Sequence, residues 1–548
     1  MKTKKVLAAL LALVMCFSIV SACKNGSGDS TGSPDVTVSN TNGGNSESPA
    51  PSQPSNSENP SASNSNESEV VFYTVCTFEE SWWDPALYMG VNDANLSAMI
   101  YENLVELQPD GTVAPQLAES WEISQDGLTY TLNLRKNVKW HKGYGEFTSA
   151  DVKFTLERQE DPAVASVNAA NLNIMNILSI ECPDDYTIVI KLKEIDVDLL
   201  FRLAMFYGII VSKAHSDQDG IESLNKDPIG TGPFVFNGGT LGIKTEVIRN
   251  KEWWGNFTGN IDRVVSTFVA DTNVIYAAFE NREFDSIGLY DRDKMREYES
   301  KGYDVRNIPY LQLLYIGVNM HIAPFDDPKV REAFFHSIDV DYYLDNLYYG
   351  MEEAAGSYIP PSCKYALKDY FKFDYNPERA KQLLAEAGYS DGCPMVMWSA
   401  NDALGQPPAI LAQDQLSKAG FVIDMQNVEF GVFIEQVRNG TAPMWVLYND
   451  SSTTGDNTII RYTSEYYPGN NWCGVTDPEY DAYVAAAMSA KTEQEKTDNF
   501  HAAQRRLMDL QVLFPVSTNS MARASQSNVT GWKTYGDSAF RLQTVTKG

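Results

Sequence analysis

Residues 24 to 69 are built from Ser, Asn, Gly, Pro and Glu with almost no apolar side chain, from KNGSGDSTGSPD to SNSNESE. Such a stretch cannot bury enough surface to offset the entropy of ordering it. It reads as a disordered tether with a root-mean-square reach of about 35–40 Å. Whatever folds must lie in the roughly 480 residues beyond it, room for two or three domains. There the apolar share, 43% of the chain, is enough for a large globular core. The balance of 43 Lys and Arg against 72 Asp and Glu excludes a nucleic-acid binder, which needs a basic footprint.

In front of the tether, Lys2, Lys4 and Lys5 precede an apolar run from Val6 to Val20. That is the pattern of a secretory signal over residues 1–22, too short for a permanent spanning helix. The small residues Ser21 and Ala22 precede Cys23, and VSAC resembles the lipobox of bacterial lipoproteins. The resemblance implies that Cys23 is acylated and opens a lipidated tether, 23–69. Each buried methylene of the anchor then contributes about 0.8 kcal/mol. The expected location is the extracytoplasmic face of a bacterial membrane, in a Gram-positive cell. No later apolar run approaches the length of a spanning helix.

Past the tether, strand and helix patterns alternate without a repeat, giving an α/β class. EVVFYTV reads as a strand and NLSAMIYENLVEL as a helix. WEIS and LTYTLNLR read as strands joined at Asp126-Gly127. TSADVKFTLER is a helix capped by Thr148 or Ser149, and TIVIKLK a strand. DDPKVREAFFHSID and NPERAKQLLAEAGY carry acidic or Asn caps and Pro at the first helical turn, with Gly388 ending the second. The scattered Cys76, Cys182, Cys363, Cys393 and Cys473 fit mostly free thiols, with Cys363–Cys393 the favoured pair if a bridge forms. Neither they nor the five histidines show metal-site spacing, so no cofactor or metal is expected. GTGPF at Gly230 lacks the lysine of a phosphate loop and reads as a turn between lobes.

YENLVEL, the GTVAPQLAESWEISQDGLTYTLNLRKNVKWHKG run, FTSADVKFTLER, PIGTGPF, PFDDPKVREAFFHSID and NPERAKQLLAEAGY occur in order. Together they resemble the family-5 extracellular solute-binding lipoproteins of ABC importers, similar to dipeptide- and oligopeptide-binding proteins. The resemblance covers residues 70 to about 535. It implies a two-lobed periplasmic-binding-protein-like fold with an extra inserted domain and discontinuous domains around a hinge. Domain I would comprise 70–107, 226–311 and 515–548, domain II 108–225, and domain III 312–514. The crossings would fall at LQLLYIGVN and LFPVSTNS, and hinge closure would enclose the ligand.

A peptide receptor needs a strand edge for the ligand backbone and a carboxylate for its amino terminus. In the family a strand Trp, with an Asp three residues later, does this work. In APMWVLYNDSSTTGDN, Trp445 fits the Trp, and the backbone of Met444 to Leu447 is placed to pair with a ligand. Tyr448 stands where the Asp is expected, and Asp450 is the nearest substitute. The resemblance also nominates Trp398 and Asn401 after one strand, Phe430 with core packing as its alternative, and Glu80, Trp82 and Trp83 near the first strand. Adjacent indoles cannot share a strand face, so Trp82 is preferred for the cleft over Trp83.

The implied function is non-enzymatic: a tethered monomer that captures short peptides and passes them to an ABC permease and ATPase complex. An oligosaccharide ligand is the alternative, with Trp82, Trp83, Trp398 and Trp445 as stacking faces. A sensor or a hydrolase using acid pairs stands behind both.

Overall fold

Two long strands, Asp304–Val318 and Leu513–Ser525, run antiparallel through the middle of the fold. They contain the two stretches expected to cross between lobes. Their register shifts between Pro309 and Gln312, where a proline without an N–H interrupts the ladder. The computed structural model describes residues 69–548 apart from 77–82, 89–93, 241, 290, 369, 371–373, 403–404, 468 and 538. The expected signal, the tether with Cys23, and Glu80 and Trp82 therefore lie outside the described residues.

The long strands are shared by the two halves of a ten-stranded sheet. Ser286–Leu289 pairs with the end of Leu513–Ser525, followed by Val71–Cys76, Arg263–Phe268, Lys244–Arg249 and Phe234–Thr240. On the other side Met444–Asp450 pairs with Gln312 to Val318, followed by Cys393–Ala400 and Phe421–Val428. The result is an α/β body of two lobes joined through one sheet.

A separate four-stranded sheet, Ala118–Ile123, Thr129–Leu134, Thr187–Leu192 and Ile177–Asp184, forms an insert in the first lobe. Gly127 at φ +72° makes the turn between its first two strands, and Tyr130, Leu132 and Leu134 point inward at strand period. Helix Ser149–Glu157 packs on this sheet, its Asp151 carboxylate accepting the Thr148 N–H at 2.9 Å. The apolar cores follow the same division. One gathers residues between Leu104 and Ile229, and another residues between Leu313 and Val516. The remaining two combine early, middle and C-terminal residues, from Phe72 to Val545.

The insert is held to the first lobe by buried polar contacts. Arg158 makes a bidentate pair with Asp84, at 2.8 and 2.5 Å. The Asn103 amide donates to the Leu203 and Met205 carbonyls, and the His141 N–H to the Gly230 carbonyl.

The helix expected through NLSAMIYENLVEL stops at Ile100, and Val105–Leu107 is a strand paired with Val113–Pro115. A continuing helix would need the Ile100 carbonyl for the Leu104 N–H; the Gly232 N–H occupies it at 2.8 Å. A Cβ on Gly230 would sit 1.9 Å from that same oxygen, which explains the glycines of GTGPF as close backbone packing. The capped helices do form, as Pro328–His336 on Asp327 and Pro377–Glu386 on Asn376, with Gly388 at φ +96° beyond the second. Cys363 and Cys393 are buried free thiols rather than a bridged pair.

The same junction buries Glu102. Its carboxyl accepts from Trp254 Nε1 at 2.7 Å, Thr231 Oγ1 at 2.8 Å and Trp253 Nε1 at 3.2 Å. Burial outweighs these bonds and pushes its pKa from 4.5 up to about 7. The fold thus holds this proton more tightly than the unfolded chain does. The stabilisation is complete below pH 4.5 and is lost as pH rises to about 7, an amount near 3 kcal/mol. Urea unfolding at pH 5 and pH 8 should show that fall, and Glu102→Gln should flatten it. An unchanged slope in the variant would exclude Glu102 as its source.

Candidate functional site

A chamber of about 570 Å³ lies where the insert, the long strands and the second lobe meet. The insert supplies an apolar wall that includes Val113, Ile123, Leu200, Phe201, Met205 and Phe206. This wall follows from the run VDLLFRLAMF, whose helix Leu199–Leu203 buries Leu199, Phe201 and Leu203. Ile308 and Leu311 come from the first long strand, Ile308 just before its register shift and Leu311 within it. Pro361, Cys363, Lys364 and Thr453 come from the second lobe.

Several of the charged groups around this wall are engaged. Arg541 holds Asp537 through two bonds, at 2.8 and 2.6 Å. Burial opposes the Arg541 charge, but Asp537 outweighs it and raises the guanidinium pKa further. Asp110 accepts from the Thr112 hydroxyl at 2.6 Å and its N–H at 3.0 Å, and these bonds lower its pKa. Arg523 stacks on Phe540, its guanidinium carbon 4.1 Å from the ring centre. Burial drives the Cys363 thiol pKa upward, so it stays protonated and a poor nucleophile. An apolar cavity of this size with a few placed polar groups is suited to holding a small organic ligand.

The residues nominated from sequence lie elsewhere. Trp445 is fully buried in the second lobe, its ring against Gly317 on the neighbouring strand and its Nε1–H donating to Tyr315 Oη at 3.2 Å. Met444 and Trp445 are flanked by strands on both sides, Asp304–Val318 and Cys393–Ala400. Their backbone is therefore already within the sheet. Trp398 is half-buried against the same core, in register with Trp445. Tyr448 bonds to Tyr348 through their hydroxyls at 2.6 Å, and burial raises its pKa. Asp450 ends its strand opposite Gln312, three residues before Thr453 of the chamber.

Asn401 is exposed, its N–H donating to the Val428 carbonyl at 2.8 Å. Phe430 opens helix Phe430–Arg438 and is 49% exposed, so it does not fill the core. Trp83 is 3% exposed and packs on Phe236. None of these described residues is among those lining the chamber. The insert wall carries no sequence signal of a site, because an apolar run is equally that of a core.

Residues 112–471 match the bacterial extracellular solute-binding proteins, family 5, in its middle region. The chain is 30% identical to heme-binding protein A of Haemophilus influenzae, over 77% of this chain and 82% of that protein. It is 28% identical to di/tripeptide-binding protein 1 of Pseudomonas aeruginosa, over 82% and 88%. Among solved structures it is similar to the ABC transporter-associated periplasmic binding protein DppA of Helicobacter pylori in complex with the peptide STSA. That match has a TM-score of 0.66 and 26% identity, and covers 87% of this chain and 98% of that one.

Proposed function

The chain belongs to the bacterial extracellular solute-binding proteins, family 5, and on that premise we propose that it captures short peptides between its lobes for an ABC permease. The observation that carries the reading is the chamber itself, whose apolar walls come from both lobes and meet at the long strands. Apolar walls accept varied side chains, while the ligand backbone requires hydrogen-bonding groups. Asp450, just ahead of Thr453, is proposed as counter-ion for the ligand amino group. Tyr448, Asn401, Trp398 and Phe430, with Glu80 and Trp82 from the first-strand loop, are proposed to border the cleft around it. The oligosaccharide reading calls for indole faces, and none of the described tryptophans lines the chamber.

Cys23 is proposed as the lipid attachment, with residues 24–69 holding the monomeric body off the outer face of a Gram-positive membrane. Among the described residues no helix is long and apolar enough to cross a membrane.

Calorimetric titration with di- to pentapeptides, against xylo- and cello-oligosaccharides, tests the ligand class. Peptides with apolar side chains should bind with Kd near 1 μM or tighter, about 8 kcal/mol. Sugar binding without peptide binding would overturn the reading.

A further inference from the structure

Asp198 precedes helix Leu199–Leu203 in the insert and is fully buried, yet its partners belong to the second lobe. Its Oδ1 accepts from Lys364 Nζ at 2.8 Å and from Tyr365 Oη at 2.5 Å. Its Oδ2 accepts from Lys496 Nζ, on helix Glu493–Asp509, at 2.6 Å. The two lysine side chains are 8% and 9% exposed. Lys364 also reaches Glu493 at 3.3 Å, which brings the group close to neutrality.

The insert itself is fastened to the first lobe by Arg158–Asp84 and by the Asn103 and His141 bonds described above. It therefore moves with that lobe, and the Asp198 group spans the gap that a hinge would open. Lys364, Glu493 and Phe201 also line the chamber, so joining these charges and covering a ligand are one movement.

We propose that Asp198, Lys364, Lys496 and Tyr365 form an interlobe latch that is made on closure and broken on opening. Asp198 and Lys496, neither of which lines the chamber, set how readily the lobes close; this rests on the hinge reading of the proposed function. An ion group suits a reversible latch. The attraction on closing is offset by the loss of hydration, so the closed state is not locked. With the acid on one lobe and the bases on the other, a misaligned closure leaves buried charges unmatched. Burial works against the Asp198 charge, but Lys496 and Lys364 overcome it and hold its pKa well below the usual range. Asp198 thus stays ionised across the physiological pH range.

Solution scattering on the ligand-free protein and on the same protein titrated with trileucine tests this. Asp198→Asn should enlarge the ligand-free radius of gyration, and should raise the trileucine concentration for half-closure about tenfold or more. If Asp198→Asn does not fold, Lys496→Gln leaves Lys364 on the aspartate and should shift both readouts the same way. A lower melting temperature with both readouts unchanged would make the group a static brace and overturn the latch. If trileucine fails to bind the wild type, the peptide reading fails, and the ligand-free comparison still decides the latch.

Discussion

Trp445→Ala should destabilise the second lobe by about 3–5 kcal/mol, the range for removing a large aromatic from a packed core. The indole is fully buried and lies against Gly317, directly across the strand pair. A Cβ on Gly317 would come within 2.5 Å of the ring, so the two residues fit only as a pair. The variant leaves a cavity there and takes the indole donor from Tyr315. Calorimetry should show the transition of the second lobe moving down. Ligand affinity, measured cold where the variant stays folded, should change little. A selective loss of affinity at unchanged stability would return Trp445 to the cleft.

Arg158→Met should cost a similar amount, about 3–5 kcal/mol, because it leaves Asp84 buried without its counter-ion. The side chains of the pair are 4% and 7% exposed. Arg158→Lys should recover little of the loss, since an ammonium cannot make the two parallel bonds. Asp84→Asn combined with Arg158→Met should recover part of it by removing the stranded charge. Urea unfolding of the wild type, Arg158→Met alone, Asp84→Asn alone and the double variant gives the coupling directly, and additive effects would contradict the pairing.

These residues show what was legible in the chain. The helices opened by Asp327-Pro328 and Asn376-Pro377 were readable because caps and proline act locally. The alternating strands around Asp126-Gly127 were readable for the same reason, and the quoted motifs carried the fold class. The end of the helix at Ile100 was hidden, since it depends on a glycine amide 132 positions later in the chain. Trp445 has a similar history. A strand Trp can face a ligand or a core, and only the glycine opposite it in the sheet separates the two. The chamber was less legible still: its residues come from many short stretches between Ala98 and Arg541, and the apolar ones among them resemble ordinary core.

The way the chain closes on itself also bears on how it is made. The insert, between Leu104 and Ile229, and the second lobe, between Leu313 and Val516, each draw their cores from one continuous stretch. The first lobe does not. Its core needs Val529, Phe540, Leu542 and Val545 beside Phe72, and Lys547 donates to the Val71 carbonyl and to Asp285. During synthesis and export the first strand among the described residues therefore waits for the last residues, with its apolar face uncovered while the other two cores assemble. That long interval makes Val71–Cys76 the segment with most to gain from a chaperone, although it becomes one of the central strands of the finished sheet.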